Sequence, residues 1–247
     1  SATRARGAVA AGTTADSSPS RTERRRAQPT VRSRDARTTP RSHVSGNHDA
    51  GANTGDRALA NVDPADMPLF YTYFASSRGG VQPPGTRRSY HAHVVGTSTL
   101  LLVLDSGYAS EFDGEQLAWM QGVLKEHKPL AAKLAVYHVP FYPWSTKDTS
   151  AQPVPVTGPQ RPDGRDVWVP VFDEHGIRVA FENHVHSFKR SRPLRGGKPA
   201  AGGTVYVGDG LWGIVNSGRA NKQTPLLVNP HPLLARAAIR YHFWRVR

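Results

Sequence analysis

The sequence predicts a layered α/β or α+β domain, and three observations predict it. Short apolar runs that end in turn residues recur along the chain: TLLLVLDSG (99–107), AAKLAVYHVP (131–140), GIRVAFENHVH (176–186) and GGTVYVGDG (202–210). At least one amphipathic helical segment separates two of them. The 247 residues suffice for one sizeable domain or two small ones. Strands alternating with helix in a chain of this size bury their apolar faces in layers.

The elements follow in order. TLLLVLDSG has the length and composition of a buried strand. FDGEQLAWMQGVLKEH comes next, with Leu117, Met120 and Leu124 on one helical face, and Asp113 with Gln116 three residues on predicts a capping box at its start. AAKLAVYHVP is a second buried strand, stopped by Pro140. GIRVAFENHVH is a third, with Val179 and Phe181 on one side and Ala180 and Glu182 on the other. GGTVYVGDG is a fourth, and RYHFWRV at the C-terminus is read as a fifth. Between the second and third strands, residues 139–170 hold seven prolines together with Trp144, Arg165 and Trp168, and read as a long loop. Loops of that length in compact domains are functional or disordered, and two tryptophans favour a packed lid or pocket wall.

Composition narrows the chemistry. There is no cysteine, which excludes disulfides and thiolate metal sites, while eleven histidines are a generous supply of neutral metal ligands. No apolar run approaches the roughly 20 residues of a membrane-spanning helix. The net charge of +13 invites a nucleic-acid or polyanion reading, yet residues 1–45 alone carry ten Arg against Asp16, Glu23 and Asp35, a net of +7. Those arginines have no aromatic residues among them for base stacking, so nucleic acid is not the expected partner. Residues 1–45 contain almost no apolar surface and read as a disordered or non-native leader, with residues 46–247 as the globular part. The Arg/Ser-rich, acid-poor make-up fits an organelle transit peptide, whereas ten Arg without Lys fits equally a GC-rich stretch read in the wrong frame.

Three histidine-bearing corners stand out. Gly46-Asn47-His48-Asp49 interrupts a polar stretch and is, read alone, also the sequence of an ordinary turn. His138 sits where Pro140 stops a strand, and ligands collect at strand termini in layered α/β folds. His184 and His186, at i and i+2 of an extended segment, point to the same side and are able to face one cation or two neighbouring ones. His91 and His93 repeat that spacing in SYHAHVV but precede an apolar strand, and read as solvated strand positions. Lys189, Arg190 and Arg192 read as a solvated charged edge.

The order of these corners, GNHD, then strand-His-x-Pro, then FENHVHSFKRSRPL, resembles the calcineurin-like metallophosphoesterase superfamily, with the bacterial purple acid phosphatase-like branch nearest. LDSG before the QLAWMQGVL helix, YHVPFYP and GTVYVGDGLWG support the resemblance, which covers residues 46 to about 215. It implies an αββα sandwich of two mixed sheets flanked by helices. It also implies two metal ions (Fe, Zn or Mn), with Asn47, His138 and His184 on one and His186 on the other. Metal-bound hydroxide would attack phosphorus in a phosphate ester, and His48 would protonate the leaving alcohol as general acid. Asp49 would orient His48. Trp144, Arg165 and Trp168 would form the substrate rim, and the compartment would be secreted or periplasmic. One local departure is Asn183, where the superfamily prefers Gly.

The family pattern also calls for an Asp at the end of a first strand and a Gly-Asp motif supplying a bridging carboxylate, both upstream of GNHD. Here that region is the Arg-rich leader, so the domain reads as lacking its first strands. Gly55-Asp56 and Gly208-Asp209 come after GNHD, in the wrong order. Asn47, His138, His184 and His186 are neutral ligands, and without a bridging anion two cations repel each other uncompensated. The expectation is therefore a chain that holds one cation more readily than two and hydrolyses slowly or not at all. A non-catalytic relative that keeps the fold, and an Arg-rich polyanion binder, are the alternatives. Missing first strands would also leave an apolar sheet face uncovered, an aggregation hazard.

Overall fold

A computed structural model describes residues 43–46, 49, 89–142, 164–184, 186–208 and 225–246, all within one compact unit, Pro40–Arg247. Its main feature is an eight-stranded mixed sheet in the order β1-β2-β3-β4-β8-β5-β10-β9, beside a two-stranded ribbon of β6 and β7. The strands are β1 (His91–Val95), β2 (Thr99–Val103), β3 (Ala132–Tyr137), β4 (Val179–Glu182), β5 (Phe188–Ser191), β6 (Leu194–Arg195), β7 (Lys198–Pro199), β8 (Val205–Gly208), β9 (Leu227–His231) and β10 (Leu234–Ala238). Two helices, α1 (Gly114–Glu126) and α2 (Gly164–His175), complete the described elements. The expected layered α/β class is what the chain forms.

Strands β2, β3, β4 and β8 run parallel, so their C-terminal ends open on the same edge of the sheet. The crossover from β2 to β3 carries α1, and that from β3 to β4 carries α2. Alternation along each strand decides which face the helices cover. Ala92, Leu100, Leu102, Ala135, Tyr137, Ala180 and Tyr206 are buried in one cluster with Met120, Val123 and Leu124 of α1 and with Trp168, Val171 and Phe172 of α2. The two helices therefore pack on the same face. On the opposite face, Leu101, Val136, Val179, Phe181 and Val205 are half-buried.

Several elements differ from what the sequence predicts. The segment 139–170 is not loop throughout, because α2 begins at Gly164 and continues through Pro170. Burial of Trp168 and Phe172 outweighs the backbone bond that an internal proline forfeits. Trp168 is consequently core rather than rim: it has zero exposure and its Nε1–H donates to Phe112 O at 2.7 Å. The capping box does not form. Asp113 makes no side-chain cap, and Gln116 turns inward to accept from Asp105 N and donate to the carbonyls of Asp105 and Glu111.

The C-terminal stretch 240–246 is not a strand, and β9 and β10 precede it. Pro230 inside β9 obscured that pair, yet β9 is an edge strand, where a missing N–H is tolerated. His91 and His93 are buried rather than solvated, with their rings edge-on at 5.0 Å. Burial, then repulsion from His93 and His43, lowers the His91 pKa to about 4. Lys189 is no solvated edge either. It has zero exposure, pairs with the equally buried Glu182, and donates to Tyr142 O at 2.7 Å, whereas Arg190 is exposed as expected.

Candidate metal centre

The C-terminal edge of the parallel strands gathers the histidine corners. His138 is the first residue beyond β3, and a lattice of short bonds fixes its backbone. Asn183 N donates to His138 O at 3.0 Å, Asn183 Nδ2 to Tyr137 O at 2.8 Å, and Val139 N to Ser106 Oγ at 3.0 Å. The departure at Asn183 thus has a structural use: its amide laces the end of β4 to the end of β3, which a glycine cannot do. Beneath this lattice lies the ion pair. Glu182 Oε1 accepts from Tyr137 Oη at 2.8 Å and from Phe141 N at 2.7 Å, while its second oxygen faces Lys189 Nζ. Burial, then the Glu182 charge, pushes the Tyr137 phenol well above its usual range.

Past Glu182 the chain leaves the strand. His184 and His186 both take left-handed backbone, with φ of 64° and 49°. Non-glycine residues adopt that region at a cost, and histidine is among those that tolerate it. The premise of an extended His-x-His is therefore corrected, since the two imidazoles do not share a side through strand alternation. His184 Nδ1 instead lies 3.0 Å from His138 Nε2, the rings crossing at 74° with centroids 5.0 Å apart. Both histidines are half-buried, as is His186.

The GNHD turn reaches the same place. Gly46 packs against the His138 imidazole so closely that a Cβ there would stand 2.8 Å from Cε1 and 2.9 Å from Nδ1, which is why this position needs glycine. Gly46 N donates to Asp49 Oδ2 at 2.9 Å, and Asp49 N to Gly46 O at 3.1 Å, so Asp49 closes the turn. Asn47 and His48 lie outside the described residues, as does Trp144. Arg165 is on α2, ion-paired with Asp166 at 3.0 Å.

Tyr108 is a neighbour that the sequence reading missed. Its ring meets His138 edge-on at a centroid distance of 5.7 Å. The loop behind it is held by Asp105, whose Oδ1 accepts from Tyr108 N at 2.7 Å and whose Oδ2 accepts from Ala109 N at 2.9 Å. Burial raises the Asp105 pKa against these bonds. The signal was present in LDSGY, which reads as a plain turn after a strand until the fold brings it to His138.

The donor chemistry suits one cation. Two nitrogens on a tetrahedral zinc, each about 2.05 Å from it, stand about 3.3 Å apart; His138 Nε2 and His184 Nδ1 are close to that spacing. Among the described residues, the carboxylates of Asp49, Asp105 and Glu182 are engaged: Asp49 on Gly46, Asp105 on two amides, Glu182 on Lys189, Tyr137 and Phe141. Among the described residues no group of three or more His, Asp or Glu side chains converges, and none of their helices is long and apolar enough to cross a membrane.

No family model and no curated sequence matches the chain. Among solved structures it is similar to purple acid phosphatase PPD1 from yellow lupin (Lupinus luteus) seeds, with 14% identity over 71% of this chain and 33% of that one, at a TM-score of 0.49. It is also similar to PhoD, with 13% identity over 59% of this chain and 33% of that one, at a TM-score of 0.36. The chain spans about a third of the length of each of these two proteins.

Proposed function

We propose that this chain carries the site of a metal-dependent phosphoester hydrolase of acid phosphatase type. The observation that supports it most is the meeting of three sequence-distant motifs at one sheet edge: Gly46 of GNHD on the His138 ring, and His138 Nε2 3.0 Å from His184 Nδ1. His138 and His184 hold one cation, with Asn47 as a further ligand through its side-chain oxygen. His186 belongs to a second cation position if a carboxylate from outside the described residues completes it. A bound divalent cation supplies Lewis acidity and a water of lowered pKa. His48, one residue past Asn47, donates a proton to the leaving alcohol, a role that contributes about 10²–10⁴-fold. Neutral donors and engaged carboxylates favour single-cation occupancy and slow turnover.

The test is hydrolysis of p-nitrophenyl phosphate by the purified chain with added Zn²⁺ or Mn²⁺. Slow metal-dependent turnover that disappears in both H138A and H184A is expected, with H48A lowering it and leaving metal affinity within a few-fold. Turnover indifferent to His138 and His184 overturns the reading.

A further inference from the structure

The His138 ring has two close neighbours besides His184, namely Gly46 and Tyr108. Three of its atoms, Cε1, Nδ1 and Nε2, would lie 2.8, 2.9 and 3.1 Å from a Cβ on Gly46, so a face of the ring fills the space a side chain at Gly46 would need. The Tyr108 ring meets the imidazole at an interplanar angle of 65°. Tyr108 is itself fixed from below. Asp105, with zero exposure, uses one carboxylate oxygen on the Tyr108 amide and the other on the Ala109 amide, and Gln116 accepts from the Asp105 amide. Ser106, from the same loop, accepts from Val139 N, immediately past His138. A single loop therefore fixes the backbone after His138 and presents a ring to its side chain.

We propose that Tyr108 is a positioning residue of this centre: with Gly46 it fixes the plane of the His138 imidazole, so that Nε2 is the nitrogen presented toward His184 Nδ1. The proposal rests on the reading of His138 and His184 as ligands of one cation. An imidazole turns freely about its Cβ–Cγ bond unless packing stops it, and a ring that turns presents Nδ1, Nε2 or a carbon to the same point. Groups that orient a metal-binding histidine from outside the ligand set change metal affinity by roughly 10–100-fold. Here the orienting contact is an aromatic ring set by a buried carboxylate. The phenol oxygen is not needed for it.

The experiment compares the full chain with Y108F and Y108L, using two readouts. Ring nitrogen and carbon NMR shifts of His138 in the metal-free protein report its tautomer and ring environment. Calorimetric titration with Zn²⁺ reports affinity. Y108F is expected to match the parent in both, within about threefold in dissociation constant. Y108L is expected to move the His138 tautomer balance and to weaken zinc binding by about 10–100-fold. Unchanged His138 shifts and unchanged zinc affinity in Y108L overturn the proposal, as does a loss in Y108F equal to that in Y108L. If the parent binds no zinc while the His138 shifts still respond to Y108L, the cation reading fails and the positioning role stands. Should Y108L not fold, D105N makes the same comparison, because it keeps the side-chain size while removing one of the two acceptors that hold the loop.

Discussion

Changing Glu182 to Gln alters one charge and almost no volume, at a point where the structure leaves that charge no alternative partner. Glu182 and Lys189 both have zero exposure, so water cannot screen either. The Gln oxygen is able to keep the bonds from Tyr137 Oη and Phe141 N, now made by Glu182 Oε1 at 2.8 and 2.7 Å. Its amide group then faces the Lys189 ammonium, donor against donor, and Lys189 retains only the Tyr142 carbonyl. Removing one partner of a buried pair costs about 3–5 kcal/mol, a large share of the roughly 5–15 kcal/mol that holds a domain folded. For a chain of this size that is about 6–20 °C in Tm. The assay is urea unfolding of the parent, E182Q, K189M and the double variant. E182Q and K189M are each expected to be strongly destabilised. The double variant is expected to be more stable than the sum of the two losses predicts, by about 2 kcal/mol. An E182Q variant within about 0.5 kcal/mol of the parent, or strict additivity in the double variant, refutes the reasoning.

Two further outcomes follow from the same packing. His91 has its pKa lowered to about 4 by burial, so the unfolded chain binds the extra proton first as pH falls. The stability that His91 contributes is complete above about pH 6.5 and is lost between there and about pH 4, up to about 3 kcal/mol. Asp105, raised by burial, acts in the opposite sense above its unfolded value and weakens as pH rises through its folded one. H91F should flatten the pH-stability slope between pH 6.5 and 4, as read by urea midpoints across that range. G46A places a Cβ 2.8–3.1 Å from three His138 ring atoms, and should weaken zinc binding about tenfold or more with a smaller proportional effect on the unfolding midpoint.

Much of the strand framework was legible because it obeys local rules. Leu100 and Leu102 alternate with half-buried neighbours, and the β3 and β4 runs stop where Pro140 and the left-handed His184 end them. The helix α2 was not legible, since seven prolines across residues 139–170 outweighed the spacing of Trp168, Val171 and Phe172, and only the core they fill reveals the pattern. Lys189 reads as a surface charge because its compensation, Glu182, sits on another strand and becomes adjacent only through the pairing of β4, β8 and β5. The histidines at the strand ends were readable from type and position. What escaped was everything that sets their geometry: the left-handed turns, the Asn183 lacing, and Tyr108 held by Asp105. The Asn183–Tyr137 bond and the Tyr108–His138 contact join sequence-distant residues, and the turns that end the strands break the strand period, so no local period encodes them.

The most direct test of the cation reading is a calorimetric Zn²⁺ titration of the chain alongside H138A, H184A and H138A/H184A. One ion per chain is expected, with affinity lost in each single variant and little further lost in the double, because both nitrogens serve the same ion. Zinc binding that survives in both single variants, or losses that add in the double, would show that the 3.0 Å pair is not a metal centre.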